Sequence, residues 1–358
     1  MCQIAGYAGT RRAAPILVEM LRRQEFIDGG AETGIATISD GKIHMRKVAG
    51  CLDVLLRETD ALDLPGTVGF IHSRPSGTDA EFAHPFLSSD HCTAVIENGI
   101  TAQTATPELI ERRNRTMAKY FERGDLISSA LPPQENVRFC LPDGRRYHYI
   151  EMYAHFINEL VEQQHKSVSE ALSIAMDEYP IDTVIGVLQV SEPDAITVGK
   201  ITRPCSVGIG NGEIFFSTFA LAFPEDAGKL NVFHLPTATV AKIRANKLSI
   251  YPYTFRNFNV ENISPKAQAC AYRYQEKILS EADEAHALSI DDLSIRKFWR
   301  EMWTEPLIDC KYSTGEGMLK PYVCVTYENL YQFYKEGRLR SVVCREEGKR
   351  PTRKFWIE

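Results

Sequence analysis

Short apolar segments separated by turn residues fill the chain from residue 1 to about residue 245. Segments of this length and composition are typical of β-strands. The predicted strands are Gln3–Tyr7, Gly34–Ile38, Thr67–His72, Ala94–Glu97, Val184–Val190, Ala195–Ile201, Ser206–Ile209 and Glu213–Ser217. Because only a few helical segments are bunched between so many strands, the pattern favours two sheets flanked by helices over a strictly alternating parallel sheet.

Two helices and a tight turn are predicted in the same region. The segment Ser167–Glu170 is a capping box, in which a serine and a glutamate side chain each bind a backbone N–H where a helix starts. This helix should continue to about Asp177. A second helix is predicted at Ile150–Gln163, where apolar residues recur at helical spacing. The polar segment Ser39–Lys42 predicts a turn.

The sequence changes character after about residue 250. Three helices are predicted there, at Pro265–Ala285, Ile290–Glu301 and Thr326–Glu336. Leu339–Cys344 and Arg353–Ile357 alternate like the strands of a hairpin, with the basic segment 347–351 as its tip. This is the outline of a winged helix, but a small helical unit that packs on the first domain or on a partner fits equally well. We therefore predict two domains, residues 1–248 and a mainly helical unit at 249–358.

Composition and charge limit the partners. Of 358 residues, 44% are hydrophobic, and the net charge of -6 argues against nucleic acid as the main partner. No apolar run approaches the ~20 residues that span a bilayer, and the first residues do not resemble a signal peptide. The nine cysteines are odd in number and never spaced as C-x-x-C, which disfavours disulfides and zinc. We expect a cytoplasmic protein without membrane contact, metal or cofactor, and the sequence leaves homo-oligomer formation open.

A cysteine at position 2 combines two reactive groups once Met1 is removed. The new α-amino group has an ordinary pKa of about 7.7–8.0, so it can serve as general base toward the thiol of the same residue. The thiolate can then attack an amide carbonyl and form a thioester that water hydrolyses. The structural alternative is an unremarkable residue near a flexible chain end.

This chemistry also needs donors for an oxyanion and a cation for a substrate carboxylate. Asn98 offers a side-chain N–H, and Gly99 lets its backbone N–H approach closely because it has no Cβ. Arg74 can hold a carboxylate through two parallel hydrogen bonds. Each has an ordinary alternative: the Asn-Gly pair as a turn, Arg74 as a surface cation, and His72 and His84 as core histidines.

The order of these segments resembles one enzyme family, the class-II glutamine amidotransferases, and in particular the glutaminase domain of glucosamine-6-phosphate synthase. The matching segments are Met1–Tyr7, Gly69–Arg74 for the family's G-x-x-H-T-R, Ala83–Phe86 for A-H-P-H, Glu97–Ile100 for H-N-G-I, and the closing strands 203–210 and 212–217. The resemblance covers roughly residues 1–245. It implies a four-layer αββα sandwich of the N-terminal-nucleophile (Ntn) hydrolase type.

The resemblance also implies roles for single residues. Cys2 corresponds to the nucleophile, Asn98 and Gly99 to the oxyanion hole, and Arg74 to the residue that binds the substrate carboxylate. The loop after Arg74 contributes Ser76 and Gly77 to substrate binding, with Ser76 in place of the family's threonine. The substrate would be L-glutamine or a related amide.

Three departures from the family pattern concern substrate binding. The loop that holds Ser76 is about two residues shorter than its counterpart, and the family's R-G-Y-D-S is replaced by residues 28–34. The element T-D-T-E, whose aspartate binds the substrate α-ammonium, becomes His148–Glu151, with Tyr149 at the aspartate position. A neutral phenol cannot replace that charge. Either another acid such as Asp143 substitutes, or the substrate is not free L-glutamine.

The predicted C-terminal unit does not resemble the acceptor domains of the family. One interpretation is therefore an amidotransferase subunit that passes ammonia to a separate synthase. A second is a hydrolase of another γ-glutamyl amide, and a third is a non-catalytic binding or regulatory module. Intact Cys2, Arg74 and Asn98-Gly99 favour the two enzymes, whereas the missing aspartate favours the module.

Overall fold

The computed structural model describes residues 2–25, 29–100, 106–201, 203, 205–235, 239–252, 339–344 and 352–357. The strands are β1 (Gln3–Ala8), β2 (Glu32–Ser39), β3 (Lys42–Val48), β4 (Val68–Arg74), β5 (Phe86–Leu87), β6 (Thr93–Ile100), β7 (Asp182–Gln189), β8 (Ala195–Lys200), β9 (Ser206–Ile209), β10 (Ile214–Ser217), β11 (Asn231–His234), β12 (Thr239–Arg244), β13 (Lys247–Pro252), β14 (Leu339–Cys344) and β15 (Thr352–Ile357). The helices are α1 (Ala13–Arg22), α2 (Leu52–Glu58), α3 (Pro107–Arg123), α4 (Tyr149–Glu162) and α5 (Val168–Glu178).

Two antiparallel sheets form the centre of the fold. The first has the strand order β11-β9-β10-β1-β4-β2-β3, and the second has the order β13-β12-β8-β7-β6-β5. All eight predicted strands are present, with ends within a few residues of the predicted ones. The predicted turn joins β2 to β3, where Asp40 and Gly41 both have positive φ, of 51° and 69°. Two such residues give the tight hairpin turn whose twist matches that of the strands.

Three apolar cores separate four layers. One core lies between the sheets and includes Ile4 and Phe70 of the first sheet and Ile96 of the second. A second core packs α1 and α2 against the outer face of the first sheet. A third packs α3, α4 and α5 against the outer face of the second sheet. The αββα sandwich predicted from the sequence is therefore confirmed.

Both predicted helices are present as α4 and α5, and the capping box forms as expected. The Ser167 hydroxyl accepts from the Glu170 N–H, while the Glu170 carboxylate accepts from the Ser167 N–H. Helices α1, α2 and α3 were not predicted. The sequence does contain signals for both ends of α3, because Thr106 caps its start and Gly124, with φ of 88°, ends it.

The C-terminal region is described only at its hairpin. Strands β14 and β15 pair antiparallel, so the predicted hairpin is confirmed. The three helices predicted between residues 265 and 336 lie outside the described residues. Strand β13 continues to Pro252, beyond the predicted domain boundary at 248, which stays a prediction. Among the described residues, no helix is both long and apolar enough to cross a membrane.

Candidate active site

Strand order brings distant segments together at one end of the first sheet. Strand β1 runs antiparallel to both β4 and β10, so the start of β1 lies beside the ends of the other two. Strand β2 is antiparallel to β4, which places Glu32 directly opposite Arg74. Cys2 precedes β1, and Thr218 follows β10. The sheet therefore gathers Cys2, Thr218, Arg74 and Glu32 at the same end.

One hydroxyl group connects the predicted nucleophile to the predicted oxyanion donor. Thr218 Oγ1 donates to the Cys2 carbonyl at 3.2 Å and accepts from the Ile4 N–H at 3.0 Å. The Asn98 Nδ2 lies 3.5 Å from the same oxygen. Cys2 and Asn98, which are predicted from the sequence, thus share a partner, Thr218, which is not. The only signal for Thr218 was its place just after a predicted closing strand.

Asn98 and Gly99 lie inside a paired strand, so the interpretation of this pair as a turn is wrong. They stand opposite Val184 and Thr183 in the pairing of β6 with β7. The Asn98 side chain is buried and directed toward Thr218 of the first sheet. Because side chains alternate along a strand, the preceding Glu97 points the other way, toward α4.

The Arg74 guanidinium already has a carboxylate partner inside the protein. Its Nη1 lies 3.1 Å from Glu32 Oε2, donates to the Phe82 carbonyl at 3.3 Å and is 3.4 Å from His148 Nε2. The Glu32 side chain is 1% exposed and that of Arg74 is 21% exposed. Arg74 is therefore not an ordinary surface cation. Burial raises the pKa of Glu32, and the charge of Arg74 opposes this effect.

The loop after Arg74 closes over Glu32. Glu32 Oε1 accepts from the Asp79 N–H at 3.1 Å. Gly77 has φ of +132°, and a Cβ at this position would lie 1.9 Å from Glu32 Oε1. Only glycine fits there, because it both adopts this φ and leaves room for the carboxylate. Ser76 lies half-buried in the same loop.

Three histidines next to Arg74 are buried and neutral. The rings of His72 and His84 stack at 4.2 Å, and that of His148 meets His84 edge-on at 5.0 Å. Burial, followed by the charge of Arg74, lowers the pKa of His72 to about 3. His84 Nδ1 accepts from the Glu97 N–H at 3.2 Å, and His72 Nε2 lies 3.0 Å from the Glu97 carbonyl. Both His72 and His84 are buried, as expected for core histidines, but His72 Nδ1 has no hydrogen-bond partner among the described residues.

Glu97 is a buried acid one residue before Asn98. Its Oε2 accepts from the Tyr149 hydroxyl at 3.3 Å, and its Oε1 accepts from Thr183 Oγ1 at 3.1 Å. Burial raises the pKa of Glu97 to about 7, although these hydrogen bonds and the charges of Arg74 and Arg203 oppose the shift. Burial also raises the pKa of Tyr149, so the phenol stays neutral.

The two other acids near Tyr149 in sequence have different surroundings. Asp143 is exposed, and its carboxylate accepts from Arg145 Nε at 2.7 Å. Glu151 is fully buried, and its oxygens accept from the backbone N–H and hydroxyl groups of Ser128 and Ser129. Glu151 therefore fixes a loop, and Asp143 is tied to a surface arginine. Among the described residues, no group of three or more His, Cys, Asp or Glu side chains is arranged to hold a metal ion.

Sequence comparison relates this chain to glutamine-dependent enzymes. No protein-family model matches it. The glutamine–fructose-6-phosphate aminotransferase of Caldanaerobacter subterraneus subsp. tengcongensis is 31% identical over 226 residues, which is 61% of this chain and 31% of that enzyme. The enzyme of the same name from Streptomyces coelicolor is 24% identical over 344 residues, or 90% of this chain and 51% of that enzyme. The chain thus spans about a third to a half of these relatives.

Solved structures agree on the fold. The glutamine phosphoribosylpyrophosphate amidotransferase of B. subtilis superposes with a TM-score of 0.52 over 71% of this chain and 49% of that chain, at 15% identity. The N-terminal part of the chain therefore has the fold of this amidotransferase and resembles the aminotransferases in sequence, as expected for a class-II glutamine amidotransferase domain. In this domain, the match to the aminotransferases and the two-sheet fold support each other.

Proposed function

We propose that this class-II amidotransferase domain hydrolyses the side-chain amide of glutamine or a related compound through a thioester on Cys2. The observation that carries the proposal is the Thr218 hydroxyl, which contacts the Cys2 carbonyl at 3.2 Å and the Asn98 amide at 3.5 Å. A nucleophile and an oxyanion donor must both lie within reach of one carbonyl group, and a shared anchor provides that proximity.

The first step requires removal of Met1, which gives Cys2 an α-amino group. The thiol proton passes to this amine, and the sulfur forms a bond to the amide carbon. The negative charge on the carbonyl oxygen is stabilised by the Asn98 side chain and the Gly99 N–H. The C–N bond then breaks, and the leaving nitrogen takes the proton from the α-ammonium group and departs as ammonia. Water hydrolyses the thioester and regenerates the thiol.

Thr218 holds Cys2 in place for these steps. Its hydroxyl and its N–H both bind the start of β1, the N–H through the Ile4 carbonyl at 3.0 Å. These two anchors, on the carbonyls of Cys2 and Ile4, restrict the position of a residue that would otherwise lie at a mobile chain end. The ammonia acceptor is proposed to be a separate synthase subunit, because the predicted C-terminal unit does not resemble the acceptor domains of the family.

A non-catalytic binding module is the second candidate. It is favoured by the contact of Arg74 with Glu32 at 3.1 Å, because the guanidinium expected to bind a substrate carboxylate is already paired. The two candidates differ in whether Cys2 reacts.

Intact-mass analysis before and after treatment with 6-diazo-5-oxo-L-norleucine, an electrophilic glutamine analogue, tests the choice. The enzyme should lack the mass of Met1 and gain one adduct, which the Cys2→Ala variant should not gain. Labelling of the variant would show that another nucleophile reacts. Retention of Met1 together with glutamine turnover would refute the mechanism, and absence of both labelling and turnover would favour the binding module.

A further inference from the structure

Two departures from the family pattern are in direct contact in the structure. Tyr149 stands where the family's T-D-T-E element has its aspartate, and Glu97 stands where its H-N-G-I element has histidine. The Tyr149 hydroxyl lies 3.3 Å from Glu97 Oε2. One side of this pair has lost an acid and the other side has gained one. An acidic group is therefore kept, but it is moved across a single hydrogen bond.

The direction of this hydrogen bond matters for what Tyr149 can bind. The Tyr149 hydroxyl donates its hydrogen to Glu97, which is ionised above its pKa of about 7 and can then only accept. The phenol oxygen then has lone pairs left for a donor on its other side. An ammonium group is such a donor, and it has no lone pair of its own. A hydroxyl that donates to a carboxylate is also polarised into a stronger acceptor.

Tyr149 lies next to Glu97 and, through His148, close to Arg74. Tyr149 as a whole is half-buried, whereas Glu97 is 3% exposed. The Tyr149 ring stacks on that of His148 at 5.0 Å, and His148 Nε2 lies 3.4 Å from Arg74 Nη1. The phenol therefore lies in the part of the proposed site that contains Arg74.

The other acidic side chains of the region have other hydrogen-bond or ion-pair partners. Asp143 binds Arg145 at the surface, and Glu151 binds Ser128 and Ser129 in the interior. Glu32 lies against Arg74 and the loop that follows it. Of the acids that the structure describes around Tyr149, Glu97 alone has the phenol as a partner.

We propose that Glu97, acting through the Tyr149 hydroxyl, supplies the negative charge that binds the α-ammonium group of the substrate. The proposal rests on the function proposed above, and it narrows the substrate class to amides that carry an unblocked α-amino group, such as L-glutamine. Glu97 is then a positioning residue, and Tyr149 is the residue that touches the substrate.

Binding to the full-length Cys2→Ala protein, measured by calorimetry, tests this without requiring turnover. L-glutamine should bind at least tenfold more tightly than Nα-acetyl-L-glutamine, whose amine carries no charge. Adding Glu97→Gln should weaken L-glutamine binding by about tenfold to a hundredfold, the range expected for a lost charge-assisted hydrogen bond. It should change binding of the acetylated compound by less than about twofold. Tyr149→Phe should cause a similar selective loss.

Two further variants separate charge from structure. Asp143→Asn removes a nearby surface acid and should leave both affinities unchanged. Tyr149→Asp, combined with Glu97→Gln, returns an acid to the family's position and should restore the preference for L-glutamine. A merely structural role of Glu97 would not predict this rescue.

Equal affinity for the two ligands in the Cys2→Ala protein would overturn the proposal, as would an equal loss of both on Glu97→Gln. Failure to bind either ligand would also overturn it. Hydrolysis of L-glutamine by the unsubstituted protein is measured in parallel. Selective binding without hydrolysis would refute the proposed function and leave this inference standing. Hydrolysis without selective binding would refute this inference and leave the proposed function standing.

Discussion

The proposed site has two regions that differ in how far they follow the family pattern. The nucleophile region comprises Cys2, Asn98 and Gly99, and it keeps the family's residue types at each position. The recognition region comprises Arg74 with Glu32 and Tyr149 with Glu97, and three of these four residues depart from the pattern. The positions proposed for the chemistry therefore keep the family's residue types, whereas most of those proposed for contacts to the remainder of the substrate do not.

The largest expected effect lies in the nucleophile region. Cys2→Ala should abolish amide hydrolysis, and Asn98→Ala should reduce it by about 10²–10³-fold, because one oxyanion donor is lost. Steady-state hydrolysis of L-glutamine measures both effects, with circular dichroism to check the fold, since Asn98 is buried. A loss of less than about tenfold for Asn98→Ala would assign this residue to packing and would remove the contrast between the regions.

In the recognition region, Glu97 should make the free energy of unfolding depend on pH. Glu97 has a pKa of about 7 in the folded chain against an ordinary value of 4.5. Between these values the unfolded chain releases the proton and the folded chain retains it, so the free energy of unfolding falls as pH rises from 4.5 to 7. Relative to Glu97→Gln, this decline should reach at most about 3 kcal/mol.

Urea unfolding of both proteins across this pH range gives the difference. The buried histidines, whose pKa values are lowered, have the opposite dependence: they destabilise the fold as pH falls below their ordinary pKa of 6.5. Because both proteins contain them, their contribution cancels in the comparison. If the free energy of unfolding changed equally with pH in both proteins, Glu97 would be ionised throughout this range and burial would not raise its pKa.

A smaller effect is expected for the anchor of the nucleophile. Thr218→Val keeps the shape of the side chain and removes the hydroxyl that binds the Cys2 carbonyl, so kcat should fall by about tenfold, a typical cost for one lost hydrogen bond of about 1.5 kcal/mol. Thr218→Ser retains the hydroxyl and is the matched control. If both variants lose the same activity, the methyl group and not the hydroxyl is what matters.

The smallest effect concerns Arg74. Glu32→Gln removes the internal carboxylate at 3.1 Å from the guanidinium, so the affinity for L-glutamine should increase by about threefold to tenfold. Glu81→Gln, an exposed acid on the loop that follows β4, should have no effect. A weaker affinity in Glu32→Gln would mean that Glu32 orients Arg74 for the substrate instead of competing with it.

Local sequence patterns determined the elements of this fold. Residues adjacent in the chain set the tight turn at Asp40 and Gly41 and the capping box at Ser167 and Glu170, because both depend on interactions across only a few residues. The motif order also indicated the nucleophile and its neighbours. Helix α3 carries the same kind of local signal, and its start at Thr106 could have been predicted.

Only the tertiary structure decided which side chains meet. The Thr218 hydroxyl lies 216 residues from Cys2 in sequence, and Tyr149 lies 52 residues from Glu97. Glu32 meets Arg74 because β2 and β4 are neighbours in a particular register. Such contacts depend on strand order and on the packing of α4 against β6. No periodicity within a short segment encodes them, since their energy is gained only after distant segments have come together.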